Sequence, residues 1–283
     1  MDLVSIILPV FKIEPQFLEA SLQSILKQTY KNLEINIILD ESNDKELDKK
    51  LEQKILEKND NRIKLKKRKS SGFVSALNEG ISMSIGKYIA RMDGDDISEL
   101  NRIEKQIKFL AKNNLDLIGS WAYVITEDNI IGKLEPPTTH NEIRNKIILH
   151  NPILHTSLFV KKSVFDSIGG YDQNYMGAED YEIYTRAIWR GFQIGNIPEY
   201  LVCIRENPLS IVRNSDGWKK TRKAYIKTKR NAIKNYGMNR FNDIIYGSLS
   251  PLTYLISPKR SLYAKKKIGW FKPIKPRPYN TYS

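Results

Sequence analysis

Asp93-Gly94-Asp95-Asp96 directly follows the apolar run Tyr88-Ile89-Ala90-Arg91-Met92. A strand ending in D-x-D-D carries carboxylates at a spacing of two, and strand alternation sends Asp93 and Asp95 off the same face. Two carboxylates on one face repel unless a positive charge lies between them. A hard divalent ion, Mg²⁺ or Mn²⁺, prefers such oxygen ligands. Mg²⁺ typically takes one or two carboxylates and completes its shell with substrate phosphates. The pattern therefore points to an enzyme acting on a phosphorylated or nucleotide-activated substrate. Three other readings compete. A solvated acidic turn has the same spacing. A calcium loop counted from Asp93 places Asp95 third and Glu104 twelfth, but Ile97 and Ser98 then replace an oxygen ligand and the turn glycine, so it fails. A phosphatase with an aspartyl nucleophile also carries D-x-D after a strand and is the principal alternative enzyme class.

These carboxylates need a frame. Leu3 to Val10 and Leu33 to Leu39 read as buried strands, and Arg62 to Lys66 as a short one. Pro15 to Lys27 reads as a helix, with proline in its first turn and Phe17, Leu18, Leu22, Ile25 and Leu26 on one face. A charged helix follows over about Lys45 to Lys58. Phe73, Leu77, Ile81 and Ile85 repeat every four residues, a helix that Gly86 closes. Lys87 to Met92 is the strand with the acidic end, and Arg102 to Lys112 is helical. This alternation implies an α/β fold, a parallel sheet with helices on both faces. Ligands bind such sheets beyond the carboxyl ends of the strands, where Asp40, Glu41 and Asp93 to Asp96 lie.

The pattern then changes. Leu115 to Thr126 is strand-like, with a hairpin turn at Glu127-Asp128-Asn129 before Ile130 to Leu134, and Pro136-Pro137 breaks the chain. Asn141 to Leu149 reads as a helix, Ser157 to Val160 as a short strand, and a further helix ends at Gly169-Gly170. Glu179 to Arg190 forms a helix stopped by Gly191, residues 192–204 form two short strands, and a basic helix spans Trp218 to about Asn235. The remainder is turn-rich, with Pro251, Pro258, Pro273, Pro276 and Pro278.

At 283 residues the chain can bury a full core, and 41% hydrophobic with 10% aromatic residues reads as globular. Its single cysteine, Cys203, excludes a disulfide framework and a cysteine zinc site, and reads as a buried thiol in a reducing compartment. Val4 to Phe11 is too short for a leader, contains Pro9 and follows an acid, and no apolar run approaches a membrane span. The expected location is cytoplasmic, peripheral on the inner face of the cell membrane. The net charge of +14 is uneven. Residues 218–283 hold 17 lysines and arginines against one acid, Asp243, while the remaining 29 basic and 31 acidic residues nearly cancel. Such asymmetry marks a surface for an anionic partner.

Several ordered motifs resemble the family-2 glycosyltransferases, inverting nucleotide-sugar enzymes with the GT-A fold. They are Val4-Ser5-Ile6-Ile7-Leu8-Pro9-Val10-Phe11, Ile38-Leu39-Asp40-Glu41-Ser42-Asn43-Asp44, Ala76-Leu77-Asn78-Glu79-Gly80 and Ala90-Arg91-Met92-Asp93-Gly94-Asp95-Asp96. Asn151-Pro152-Ile153-Leu154-His155, Gly169-Gly170-Tyr171-Asp172 and Gly177-Ala178-Glu179-Asp180-Tyr181-Glu182 follow. The resemblance covers about residues 3–215 and rests on the order and spacing of these motifs together. It implies that Pro9, Val10 and Phe11 line the nucleotide pocket, although core packing is the competing reading for Phe11. It implies that Asp40 accepts a hydrogen bond from the base, which a carboxylate can do; an N-cap or turn role competes. Leu39 and Glu41 depart from the family pattern there, as does Lys12, where asparagine is common.

The resemblance further implies that Asp95 binds Mn²⁺ or Mg²⁺, with Asp93 near the ribose or the metal; Asp96 is a candidate to stand behind them or to be an N-cap. The metal would neutralise the departing diphosphate. Lys69 and Arg68 are candidates for a phosphate contact, against a solvated charge run from Lys64 to Lys69. Asp180 would be the general base, deprotonating the acceptor hydroxyl in a single inverting displacement. A helix N-terminus favours its ionised form, and dipole complementation alone is the competing reading for Glu179 and Asp180. His155 matches a position lining the site, facing phosphates or acceptor, against a purely structural histidine. His140 and His150 read as surface residues.

In the tail, Trp218, Tyr225, Tyr236, Trp270 and Phe271 alternate with lysines. That composition suits an anionic membrane surface, at roughly 1 kcal/mol per basic residue. Nucleic acid is the less favoured partner, and a disordered solubilising tail the structureless alternative. The expected organisation is a nucleotide-sugar half over 1–125, an acceptor and base half over 126–217, and a basic helical extension over 218–283. The expected reaction moves a hexosyl residue from a uridine-linked donor to a saccharide on a lipid carrier, in bacterial surface-polysaccharide assembly. A catalytically silent binder of anionic surfaces is the non-enzyme alternative.

Overall fold

A computed structural model describes residues 1–127, 129–147, 150–206, 215–236 and 269–278. The first half alternates β1 (Val4–Val10), α1 (Pro15–Leu26), β2 (Leu33–Glu41), α2 (Lys45–Leu56), β3 (Ile63–Lys69), α3 (Phe73–Met83) and β4 (Tyr88–Arg91). β5 (Ile97–Ser98) and α4 (Arg102–Lys112) complete it. The parallel strands lie in the order β4-β1-β2-β3. All seven residues of β1 are buried, as central parallel strands covered on both faces require. Ile6, Leu8 and Val10 point to the layer that includes Leu18, Leu22, Leu51 and Leu110, whereas Ile7 points to the layer of α3. Gly80 allows α3 to approach closely, since a Cβ there would lie 2.4 Å from the Ile7 side chain.

The second half adds β6 (Leu117–Ile125), β7 (Asn129–Leu134), α5 (His140–Lys146), β8 (Phe159–Lys161), α6 (Lys162–Ile168), α7 (Glu179–Trp189) and β9 (Ile194–Arg205). α8 (Ser215–Tyr236) and β10 (Phe271–Pro278) follow. β8 pairs antiparallel with both β4 and β6 and so joins the two halves in one sheet. β6 is the fork. β9 runs parallel along one side of it, while β8 and then β7 share the other. Phe159 of β8 is fully buried and stacks on Tyr88 at 5.3 Å.

Several expectations need correction. α3 stops at Met83 with Ser84 as its cap. Gly86 instead lets two segments touch, because a Cβ there would sit 2.7 Å from Ser5 Oγ and 2.8 Å from the Leu3 carbonyl. β3 runs on to Lys69, so the charge run is a half-exposed strand at the end of the sheet, paired with β2. Residues 194–205 form one continuous strand, bent by register shifts against β6 near Trp121. Phe271–Pro278 is an antiparallel edge strand on β7 despite three prolines, which an edge tolerates because one side makes no ladder bonds. The expected helix 141–149 ends at Lys146, with 148–149 outside the described residues, as is Asp128 of the hairpin turn. Pro251 and Pro258, and the side chains of Trp218 and Tyr236, also lie outside them.

Candidate active site

The carboxyl ends of the parallel strands form one edge. β1 delivers Pro9 and Val10, both buried, and then Phe11, which is 41% exposed. That exposure removes core packing as the explanation for Phe11. Asp40 ends the buried part of β2, opposite Arg68 in register. Arg68 donates Nε to Asp40 Oδ1 and Nη2 to Asp40 Oδ2 at 3.3 Å. Its Nη1 donates to Ser75 Oγ at 2.9 Å and its Nη2 also to the Gly72 carbonyl at 3.2 Å. Of the two basic candidates on β3, the structure therefore brings Arg68 to Asp40 and leaves Lys69 exposed at the strand end.

Asp93 to Asp96 occupy the turn between β4 and β5 rather than the strand itself. Alternation thus does not decide where the carboxylates point; turn anchors do. Ser21 Oγ donates to the Asp93 carbonyl at 3.0 Å, and Asp93 N donates to Thr156 Oγ1 at 3.2 Å. Arg205 donates Nε to the Asp95 carbonyl at 3.0 Å and its backbone N to Asp96 Oδ1 at 2.8 Å. The same guanidinium lies 4.1 Å from the Phe17 ring centroid. Asp93 and Asp95 are half-buried, and Asp96 is buried. Burial pushes the Asp96 carboxyl well above its usual range, and the charges of Asp93 and Asp95 push it further. A cation beside Asp93 and Asp95 would relieve that crowding, so the donor set fits a hard divalent ion. Among the described residues no three-ligand cage of His, Cys, Asp or Glu exists. The fit is therefore to an ion whose shell a substrate phosphate completes.

The opposite edge is the start of α7. Asp180 Oδ2 accepts from Asn151 Nδ2 at 2.6 Å, and Oδ1 accepts from Tyr181 N at 2.7 Å. Glu179 Oε2 accepts from Gly177 N at 2.5 Å. Helix-dipole reasoning predicts easily ionised carboxyls here, and the structure reverses that. Burial raises both, and for Glu179 the neighbouring Asp180 charge adds to it. The desolvation of a packed helix start outweighs the dipole, which contributes only 0.3–1 kcal/mol, roughly, at exposed sites.

Arg91 was not singled out by sequence pattern, yet it links the two edges. It is 4% exposed, pairs with Asp93 Oδ1, and sits 5.5 Å from the Phe73 ring centroid. Its charge opposes the rise at both Glu179 and Asp180. An arginine inside an apolar strand, two residues before D-x-D, was the signal available, since a buried charge requires partners. His155 Nε2 and the Tyr171 hydroxyl share a hydrogen bond of 2.9 Å. Burial, and then Arg91, push the His155 imidazole well below its usual value, which keeps it neutral. Asn78 holds Tyr171 from α3, with two backbone hydrogen bonds of 2.8 Å. Neither His140 nor His150 is a plain surface residue: His140 Nδ1 accepts from Ile194 N at 3.2 Å, and His150 packs against Trp270.

Residues 5–169, more than half of the chain, match the family described as Glycosyl transferase family 2. An uncharacterized glycosyltransferase of Haemophilus influenzae is 36% identical over 215 residues, covering 72% of this chain and 65% of that protein. The chain thus spans slightly less than two thirds of that relative's length. In Escherichia coli, the UDP-Glc:alpha-D-GlcNAc-diphosphoundecaprenol beta-1,3-glucosyltransferase WfgD is 36% identical over 144 residues, 50% of this chain and 54% of WfgD. Among solved structures, the mannosyltransferase PcManGT of Pyrobaculum calidifontis, in complex with GDP-Man and Mn²⁺, matches with a TM-score of 0.65 at 17% identity. That match covers 94% of this chain and 75% of the other, and it establishes the GT-A α/β fold. The fold leaves chemistry open, because one fold hosts many activities; the sequence match closes that gap, and the chain belongs to glycosyl transferase family 2.

Proposed function

We propose that the protein is an inverting hexosyltransferase that moves a sugar from a nucleoside diphosphate, uridine-linked, to the hydroxyl of a lipid-linked saccharide. The observation that carries this reading is Arg91, one buried cation that pairs with Asp93 and acts on Asp180. The carboxylate turn and the candidate base thereby lie around one buried charge. Pro9, Val10 and exposed Phe11 receive the nucleotide base, with Asp40 and its partner Arg68 at the far wall and Lys69 at the rim. Asp93 and Asp95 hold Mn²⁺ or Mg²⁺, and Asp96 supports the turn from behind. When bound, the cation supplies charge neutralisation at the departing diphosphate.

Asp180 accepts the proton of the acceptor hydroxyl as that oxygen attacks the anomeric carbon. The new C–O bond forms as the bond to the diphosphate breaks, and configuration inverts. A base works best when its pKa approaches the operating pH, which is the direction in which burial moves Asp180. Glu179 stays beside it, pinned by Gly177. Neutral His155, held by Tyr171, offers the acceptor a hydrogen-bonding wall without a charge. WfgD, by its name, acts on a diphosphoundecaprenol-linked saccharide, which supports a lipid-linked acceptor and surface-polysaccharide assembly here. Among the described residues no helix is long and apolar enough to cross a membrane. The basic 218–283 segment would then bring the enzyme to the anionic inner face of the membrane, with nucleic acid the weaker candidate partner. Family membership leaves no support for the phosphatase and non-enzyme readings.

Calorimetric titration with UDP, with and without Mn²⁺, tests the donor site. Binding should depend on Mn²⁺ and disappear in Asp95→Ala. Metal-independent binding that survives the substitution would refute the metal assignment, and silence toward UDP alongside binding of GDP would refute the uridine assignment.

A further inference from the structure

β10 closes one end of the sheet against β7 and carries Lys272, Lys275 and Arg277, all exposed, and no acid. Strand alternation sorts the side chains of this corner. Ala122, Leu134 and Phe271 stand in register and share the face on which Val202 and Leu154 pack. Their neighbours Tyr123, Lys133 and Lys272, also in register, go to the opposite face. Tyr200 of β9 reaches that same face. Its ring stacks on Tyr123 with centroids 4.4 Å apart and meets the Trp121 ring at 5.5 Å. Lys133 Nζ lies 4.9 Å from the Tyr200 centroid, and the Arg277 guanidinium 5.8 Å from that of Tyr123. The donor site and the base use none of these residues.

The polar ends of two of the rings are tied to the protein. Trp121 Nε1 donates to the Pro136 carbonyl at 3.0 Å, and the Tyr200 hydroxyl donates to Glu135. The rings are half-buried, so what they offer outward is carbon with cations at its margin. The acids nearby are engaged: Glu135 also pairs with Lys272, and Glu199 pairs with Lys105 at 2.5 Å. Pro273, Pro276 and Pro278 leave β10 with few N–H groups to offer another strand, which argues against a second copy adding to this edge. Platforms for nucleic acid need ring faces open to the bases. Here Tyr123 and Tyr200 cover one another, and a cation lies over each. Aromatic carbon flanked by lysine and arginine is instead the composition that settles at the headgroup level of an anionic bilayer.

We propose that Trp121, Tyr123, Lys133, Tyr200, Lys272 and Arg277 form the face that seats the protein on an anionic bilayer. This rests on the membrane reading above, and it moves the contact from a basic tail to a folded surface to which β6, β7 and β9 contribute. Lys133, Lys272 and Arg277 meet lipid phosphates, and the Trp121 ring enters the headgroup layer. Cys203 of β9 pairs with Tyr123, and two residues later the same strand delivers Arg205 to the Asp95-Asp96 turn. The seat therefore lies along the strand that leads to the metal turn, and docking places the donor site near the bilayer that carries a lipid-linked acceptor.

The full chain is sedimented with vesicles of phosphatidylglycerol and phosphatidylcholine, and with phosphatidylcholine vesicles alone. The parent protein should bind the anionic vesicles and not the neutral ones. Lys133→Gln, Lys272→Gln and Arg277→Gln combined should weaken that partitioning about 100-fold, roughly fivefold per charge. A control combining Lys49→Gln, Lys50→Gln and Lys66→Gln removes the same charge from exposed positions on α2 and on β3, the strand at the opposite end of the sheet, and should change it little. Lipid brominated high on its acyl chains should quench the tryptophan emission of the bound parent, and Trp121→Phe should lose part of that quenching. This conservative variant carries the test even where the triple substitution perturbs folding. An equal loss in both triple variants, or quenching unchanged by Trp121→Phe, overturns the face and leaves the membrane reading in place. A parent protein that ignores anionic vesicles overturns both. Retention on a single-stranded oligonucleotide without vesicle binding, abolished by the face variant, would assign the face to nucleic acid and overturn the lipid seat.

Discussion

Asn151→Ala isolates the basicity of Asp180. Asn151 Nδ2 donates to Asp180 Oδ2 at 2.6 Å, a bond made most strongly to the ionised carboxylate. Hydrogen bonds to charged groups are worth about 1.5–3 kcal/mol, and about 1.4 kcal/mol corresponds to one pKa unit. Losing this bond should therefore raise an already elevated Asp180 by roughly one to two units. The other groups acting on Asp180, namely Glu179, Arg91, Tyr171, Tyr184 and the Tyr181 amide, remain in place. The base is active when ionised, so activity falls as pH drops through its pKa. The acid limb of kcat/KM should move up by about one to two pH units, and rates on that limb should fall about 10–100-fold, while the alkaline plateau stays near the parent value. A transfer assay followed by nucleotide release from pH 5 to 9 reads this directly. A uniform loss at every pH with an unmoved limb would mean that Asn151 does not act through Asp180. An unchanged profile would remove Asp180 as the base.

Two stability predictions follow from the same geometry. The Asp96 carboxyl is raised, so the folded state favours its protonated form; the cost of ionising it appears as pH rises above the ordinary carboxylate range and vanishes well below it. Asp96→Asn keeps the acceptor for Arg205 N and should raise Tm by a few degrees at pH 7, corresponding to about 1 kcal/mol or more. The gain should shrink toward pH 4, and a pH-independent effect in a thermal melt would contradict the assignment. Gly177 has φ of 88°, and a Cβ there would lie 2.4 Å from Thr221 Oγ1. Gly177→Ala should cost about 1–3 kcal/mol by denaturant titration, and a neutral result would show that α8 does not pack against the start of α7 as described.

Much of this protein is written in local pattern. Continuous apolar strands with amphipathic helices between them determine β1, β2 and β4 and their helices, because parallel strands buried on both faces leave that signature. The order of short motifs is enough to place Asp40, Asp93, Asp95 and Asp180 at strand ends or helix starts. What pattern does not carry is long-range pairing. β10 reads as a proline-rich tail because its strand state comes from hydrogen bonds to β7, made by residues far away in the chain. Residues 194–205 read as two strands because the bend is imposed by β6.

The site divides along the same line. Residue type and spacing determine which carboxylates are available, but their charge state belongs to the tertiary structure. Helix position alone argues for an easily ionised Asp180, whereas the surrounding protein removes its water and raises it. Arg91 is an ordinary strand residue until β8, α3 and α7 close around it and leave Asp93 as its partner. His150 looks like a surface residue until Trp270 packs against it. Periodicity is a property of neighbours in sequence and survives in the chain as written. Desolvation and charge pairing depend on neighbours in space, and only folding brings those together.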